Sequence, residues 1–285
     1  MTNSFRKKIV LIGGLGTIGR ILEKGLKNTY KLLILDIAEP TEINMKNYRK
    51  ADVVNIDQLL ATIPDDTHAI VNLSALSEQP SILNEKSIRH CSDVYVVGAY
   101  NVLLAAERKK IKKVVIASTN HVTGVYETNG ISSLGREIKT NDYPLPDSAY
   151  GAMKLCAELF GYTFYREKNI SVICLRIGTV VEEELSHLRS SDRLRRTILS
   201  KIDTVEIFKR AIESNRKYGV YYAVSDNPGK PWDLSNTISE LGFYPQTNSL
   251  ELLKGENDTY NQKKRTLKNF IPRFLKRQIK RIVSG

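Results

Sequence analysis

The chain has 285 residues, 41% of them apolar and 26% charged, with a formal net charge of +12. That length buries a large core in one α/β domain or two smaller ones, and the composition is that of a globular protein, not a disordered or fibrous one. No apolar run of about 18 residues exists to cross a membrane, the first residues lack the pattern of a cleaved leader, and Cys91, Cys156 and Cys174 have no metal-ligand spacing, so a reduced, cytoplasmic setting without a metal site is expected.

Lys8-Ile9-Val10-Leu11-Ile12 reads as a parallel strand buried on both faces. Gly13-Gly14-Leu15-Gly16-Thr17-Ile18-Gly19 follows at once, and a helical pattern continues from Arg20 to Leu26. Strand, glycine turn and helix in that order form the context of a dinucleotide fingerprint. The glycines let backbone approach a pyrophosphate, and the helix N-terminus offers N–H groups to it. Gly13, Gly16, Thr17, Ile18 and Gly19 are therefore the first expected cofactor contacts. Lys31 to Leu35 is the second strand and ends in Asp36. A carboxylate there accepts hydrogen bonds from ribose hydroxyls and repels a 2′-phosphate, which favours NAD over NADP.

Asp52 to Val54 is expected as a short third strand, Asp57 to Ile63 as a helix, and Ala69 to Leu73 as a fourth strand followed by Ser74-Ala75-Leu76-Ser77. A long helix is expected over Ile88 to Lys109. The fifth strand, Lys113 to Ala117, runs into the polar cluster Ser118-Thr119-Asn120-His121-Val122-Thr123-Gly124. In an open parallel sheet, ligands bind at that end of the strands.

Asp147-Ser148 can cap a helix running to about Arg166. It carries Tyr150 and Lys154, which share a face at the i, i+4 spacing. A free phenol is a poor base near neutrality, with a pKa of about 10, and a neighbouring cation should lower it. Such a pair can exchange a proton with a substrate hydroxyl or carbonyl. Further on come a sixth strand at Val172 to Arg176, the segment Ile177-Gly178-Thr179, a charged and partly looped stretch at Asp192 to Arg196, a helix at Thr204 to Ser214, a strand at Tyr218 to Val224 and a helix at Leu234 to Leu241 closed by Gly242. The alternation predicts a doubly wound parallel Rossmann sheet with a small C-terminal substrate-binding subdomain. The expected boundaries are 1–177 for the NAD-binding domain, 178–258 for substrate-binding segments interleaved with a returning helix and strand, and 259–285 for a basic tail.

Nine of the basic residues lie between Asn261 and Gly285, with no acidic residue among them. The rest of the chain is close to balanced and gives little reason to invoke nucleic acid. Ile271, Phe274, Leu275, Ile279, Ile282 and Val283 fall on one face of a helix. Such a basic amphipathic tail can lie on an anionic membrane, so a peripheral contact at its inner face is one expectation. Docking on a neighbouring copy or on its own domain is the other, and a homo-oligomer is expected.

Together these residues resemble the extended short-chain dehydrogenase/reductase superfamily, in its NAD-dependent epimerase/dehydratase group. The resemblance covers about residues 7 to 248. It rests on Gly13, Gly16 and Gly19, on Asn72-Leu73-Ser74-Ala75, on Tyr150 with Lys154, on Thr119 where the family carries its catalytic Ser or Thr, and on Leu241-Gly242-Phe243-Tyr244-Pro245. Ala117 to Gly124, Pro146 to Gly151, Leu175 to Thr179 and Trp232-Asp233 are similar to segments of uronate dehydrogenases in particular. This implies Thr119, Tyr150 and Lys154 as catalytic residues, and NAD contacts at Asp52, Val53, Leu73, Ser74, Ala75, Ser118 and Ile177. It also implies a small sugar or sugar acid as substrate, held by Ser77, Thr119, Asn120, His121 and Thr179, with Arg193, or else Arg189, on its carboxylate. An epimerase or dehydratase that recycles its NAD is an alternative, and so is a non-catalytic dinucleotide sensor. Two features depart from the family: Tyr95 stands where Asn commonly supports a proton relay, and the segment Ala51 to Asp57 is one residue out of register with the usual adenine-contacting pattern. The loop Val180 to Arg196 diverges most, and its run Glu182-Glu183-Glu184 could repel an anionic substrate.

Overall fold

The computed structural model describes residues 6–40, 46–77 and 80–254. The basic helix expected over 259–285 lies outside them. Seven parallel strands form one sheet: β1 Lys8–Ile12, β2 Lys31–Asp36, β3 Tyr48–Lys50, β4 Thr67–Asn72, β5 Lys113–Thr119, β8 Ser171–Ile177 and β9 Tyr218–Ala223, in the order β3-β2-β1-β4-β5-β8-β9. A two-stranded hairpin, β6 Glu127–Thr128 and β7 Ile131–Ser132, stands apart from it.

The sheet is buried on both faces because its strands alternate between two apolar cores. In β1, Ile9 and Leu11 face a core shared with Leu22 and Leu26 of α1 (Thr17–Leu26) and Ile207, Phe208 and Ala211 of α8 (Lys201–Glu213). Val10 and Ile12 face the other core, built with Leu59 of α2 (Ile56–Thr62), Val102 and Ala106 of α4 (Gly98–Arg108) and Ala157 and Phe164 of α5 (Ala149–Lys168). The doubly wound sheet expected from the alternation is the one observed.

Two local expectations are corrected. The third strand is Tyr48–Lys50, not Asp52 to Val54. It is an edge strand paired only with β2, so it needs no apolar run to mark it. Val53 and Val54 form a turn instead, pinned by the buried Asn101, whose amide donates to the Val53 and Val54 carbonyls at 3.0 and 2.9 Å. The stretch at Asp192 to Arg196 is no loop but the helix α7 (Asp192–Thr197), capped by Ser191 and preceded by α6 (Glu184–Ser190). The long helix before β5 is present but interrupted. It runs as α3 (Glu85–Ser92), one π turn over Asp93–Val97, then α4. Helix α9 (Ser235–Leu241) ends at Gly242 in the left-handed region, as the sequence implies.

Candidate active site

The chain leaves β1 toward β2 and β3 on one side and returns through β4, β5, β8 and β9 on the other. The reversal opens a crevice at the carboxyl ends of β1 and β4. A cleft of about 1560 Å³ occupies it. That exceeds the roughly 300–1,000 Å³ of a single small-ligand site, which leaves room for a dinucleotide and a second molecule. All the residues expected from sequence to contact cofactor or substrate line this one cleft, Arg193 among them, whereas Arg189 does not.

At one end lies the glycine turn. Gly13 has φ +72°, and a β-carbon there would stand 2.8 Å from the Leu73 and Ser74 backbone. Only glycine lets the turn leave β1 this close to the end of β4. Gly16 differs: a β-carbon would meet nothing nearer than the Gly13 carbonyl at 3.5 Å and would take up space at the mouth of α1. Backbone N–H groups and the dipole at such a helix mouth suit a pyrophosphate. The Asp36 carboxylate accepts from Leu15 N at 2.9 Å and Ala38 N at 3.0 Å, which fixes it at the end of β2. Asp52 shapes the neighbouring wall by accepting from Val54 N at 2.9 Å. The residues present therefore fit NAD. Replacing Asp36 by Ser is expected to weaken NAD binding about tenfold and to narrow the gap to NADP, because two charge-assisted acceptors are lost. Fluorescence titration with both nucleotides measures it.

At the other end, α5 delivers Tyr150 and Lys154. Ser148 caps the helix, its hydroxyl accepting from Gly151 N at 3.2 Å. A β-carbon at Gly151 would meet the His121 carbonyl at 2.4 Å, so glycine allows the first turn of α5 to press on the segment after β5. Tyr150 thereby packs edge-on to His121, ring centres 6.0 Å apart, and to Tyr95 at 5.2 Å. The Lys154 ammonium is buried and donates to the Ala117 carbonyl at 3.0 Å and the Ser74 carbonyl at 3.3 Å. It also sits 5.0 Å above the Tyr95 ring.

The electrostatics depart from the sequence expectation. Burial, with Tyr95 adding to it, pushes the Tyr150 phenol up to about 12, and the hydrogen-bonded Thr119 hydroxyl pulls it back only in part. The Lys154 ammonium, 5.9 Å from the Tyr150 ring centre, does not bring it below its ordinary value. Burial also brings the Lys154 ammonium down to about 8, because its acceptors are neutral carbonyls and no carboxylate faces it. The phenol therefore stays protonated at rest, and once ionised it is a base of high proton affinity.

Several contacts of the site carry no mark in the sequence. Tyr95, at the position noted as a departure, stands in the π turn, a feature that often marks functional sites. Its hydroxyl accepts from Leu76 N at 2.9 Å and so holds the loop after β4. Asp147 does not cap α5 with its side chain but grips His121 Nδ1 at 2.9 and 3.0 Å. Asn120, with its amide nitrogen on the Ile177 carbonyl at 3.1 Å, turns its oxygen to Arg193 Nη2 at 3.3 Å. Arg193 in turn forms a two-pronged pair with Glu127, Nε to Oε1 at 3.1 Å and Nη2 to Oε2 at 2.6 Å. Thr179 joins Thr197 at 3.1 Å, Oγ1 to Oγ1. Among the described residues no cluster of His, Cys, Asp and Glu could hold a metal, and no helix is long and apolar enough to cross a membrane.

Comparison with known proteins gives the family and the fold. The pattern of the NAD dependent epimerase/dehydratase family matches residues 9–217. The uncharacterized protein YtbQ of Bacillus subtilis (strain 168) is 46% identical over 252 residues, 88% of this chain and 99% of that one. A uronate dehydrogenase of Pseudomonas syringae pv. tomato is 26% identical, across 85% of this chain and 82% of its own. The crystal structure of uronate dehydrogenase from Agrobacterium tumefaciens superposes with a TM-score of 0.73 at 20% identity, covering 89% of each chain, and so shares the fold.

Proposed function

The chain belongs to the NAD dependent epimerase/dehydratase family, and from that premise we propose that it is a dehydrogenase oxidising an alcohol carbon of a small sugar or sugar acid, with Tyr150 as its acid/base. The observation that carries this is the convergence of Tyr150, Lys154 and Thr119 on the cleft that the glycine turn opens. When bound, NAD supplies the nicotinamide that accepts hydride. The chain's own residues do the rest. Thr119 and the Tyr150 phenol hold the reacting oxygen between them. The phenolate oxygen takes the hydroxyl proton as the carbon is oxidised, and the phenol returns it in the reverse direction. Lys154, anchored from below by Ala117 and Ser74, holds the ribose and keeps positive charge beside the forming phenolate. Asn120, His121, Ser77 and Thr179 bind the sugar, and for a sugar acid Arg193 faces its carboxylate.

Sugar dehydrogenases among the relatives support this reading, including the uronate enzyme of Pseudomonas syringae pv. tomato. The test is NADH formation at 340 nm with purified protein, NAD and a panel of aldoses, uronates and nucleotide sugars. NADH from a free sugar or sugar acid is expected. Silence across the panel, with epimerised or dehydrated sugar found by NMR, would replace this reading with an epimerase or dehydratase. NAD binding with no sugar turnover of any kind would make the protein a sensor.

A further inference from the structure

Resting on the dehydrogenase reading, we infer that the substrate is an uncharged sugar, presenting hydroxyls and a ring oxygen but neither carboxylate nor phosphate, and that Glu127 sets this preference. Of the residues placed on the sugar above, two are cationic or potentially cationic, Arg193 and His121, and both line the cleft. Each is matched inside the protein by a carboxylate. Arg193 is the decisive one. Its Nε–H and both Nη2 hydrogens are taken, two by Glu127 and one by Asn120. Only Nη1 is left for a ligand, which removes the two-pronged geometry by which arginine recognises a carboxylate. The Glu127 side chain is 6% exposed and also accepts from Gly130 N at 2.5 Å, so it is built into the β6–β7 hairpin and does not swing away. An incoming anion would meet a pair whose charges already cancel, and would lose its hydration for it.

His121 follows the same pattern. Its Nδ1 is held by both oxygens of Asp147, so this pair brings no net positive charge to the cleft even when the imidazole is protonated. Pairs of this kind suit a neutral polyol well, because Asn120, His121, Thr179 and the paired Arg193 still offer donors and acceptors to hydroxyls.

Matched substrates read it: glucose, glucuronate and glucose 6-phosphate, and galactose with galacturonate, assayed with the full chain and NAD. The aldose is expected to exceed its own uronate and phosphate in kcat/KM by about tenfold or more. Glu127→Gln should raise uronate over aldose by about tenfold, while Glu127→Asp, which keeps the charge, should retain the aldose preference. Thermal melting of each variant separates specificity from folding. A wild type that prefers uronate or sugar phosphate overturns the inference and leaves the dehydrogenase reading standing. If no member of the panel yields NADH, the dehydrogenase reading fails, and ligand-observed NMR on the NADH-loaded protein then decides the binding question. Glucose bound in preference to glucuronate upholds the uncharged-sugar inference, and the reverse order, or no glucose binding, overturns it.

Discussion

Tyr150→Phe should lower kcat/KM for NADH formation by about 10²–10⁴, the usual contribution of a positioned acid/base, and leave the thermal midpoint and NAD affinity nearly unchanged. Phe keeps the edge-on contacts with Tyr95 and His121 and removes only the hydroxyl. Lys154→Met separates the second role. Activity should fall by a comparable factor, yet stability should hold or rise. The sign follows from the buried ammonium. Its pKa is about 8 in the fold, against about 10.4 in an unfolded chain. Below pH 8 the ammonium's burial costs its full amount, and between about 8 and 10.4 the unfolded state binds the extra proton, so stability climbs with pH through that window. Met removes the charge, and with it most of that slope. Because the Tyr150 phenol stands near 12, oxidation in the wild type should quicken from neutral toward alkaline pH. Steady-state kinetics and melting curves on the same samples decide both. Tyr150→Phe within tenfold of wild type would remove Tyr150 from the chemistry.

Much of this was legible in the residues because the signals are local. A buried parallel strand is a continuous apolar run, a dinucleotide turn needs its glycines, and Tyr150 and Lys154 share a face by helical spacing alone. What escaped was set by contacts far apart in sequence. The edge strand Tyr48–Lys50 is polar because only one side is paired, so the apolar Asp52 to Val54 stretch drew the strand assignment instead. Asp147 read as a cap by its position, but the 26 residues that separate it from His121 close into a contact. The Glu127–Arg193 pair spans 66 residues, and nothing in either segment announces it. The phenol moved opposite to expectation for the same reason. Spacing puts a cation beside Tyr150, but only the packed structure shows that burial outweighs it.

The largest stability effect belongs to a residue that no motif marks. Glu158, two turns beyond Tyr150 and one beyond Lys154 on α5, is buried with Arg176 of β8 in a two-pronged pair, Nε to Oε1 at 3.0 Å and Nη2 to Oε2 at 2.8 Å. The same carboxylate accepts from the Ser118 hydroxyl at 2.5 Å, next to Thr119. Arg176 continues over the Tyr222 ring at 5.8 Å, and Tyr222 bonds Thr123 at 2.7 Å. Burial alone would pull the Arg176 guanidinium down, but the Glu158 hydrogen bonds and charge outweigh it and hold it above its ordinary value. Helix α5 is thus tied to β5 and β8 directly behind Thr119, Tyr150 and Lys154. Glu158→Leu leaves an uncompensated buried cation and should destabilise the protein by about 3–5 kcal/mol, a fall of roughly 10 °C in Tm for a domain of this size. Arg176→Met placed on top should recover most of that loss, because the penalty comes from the stranded charge and not from the missing attraction. Activity should recover less, since Ser118 stays without its acceptor and the register between Thr119 and Tyr150 loosens. Chemical denaturation of the two single variants and the double one gives the coupling directly. Additive losses would mean that the pair is two independent packing residues and not a tie between helix and sheet.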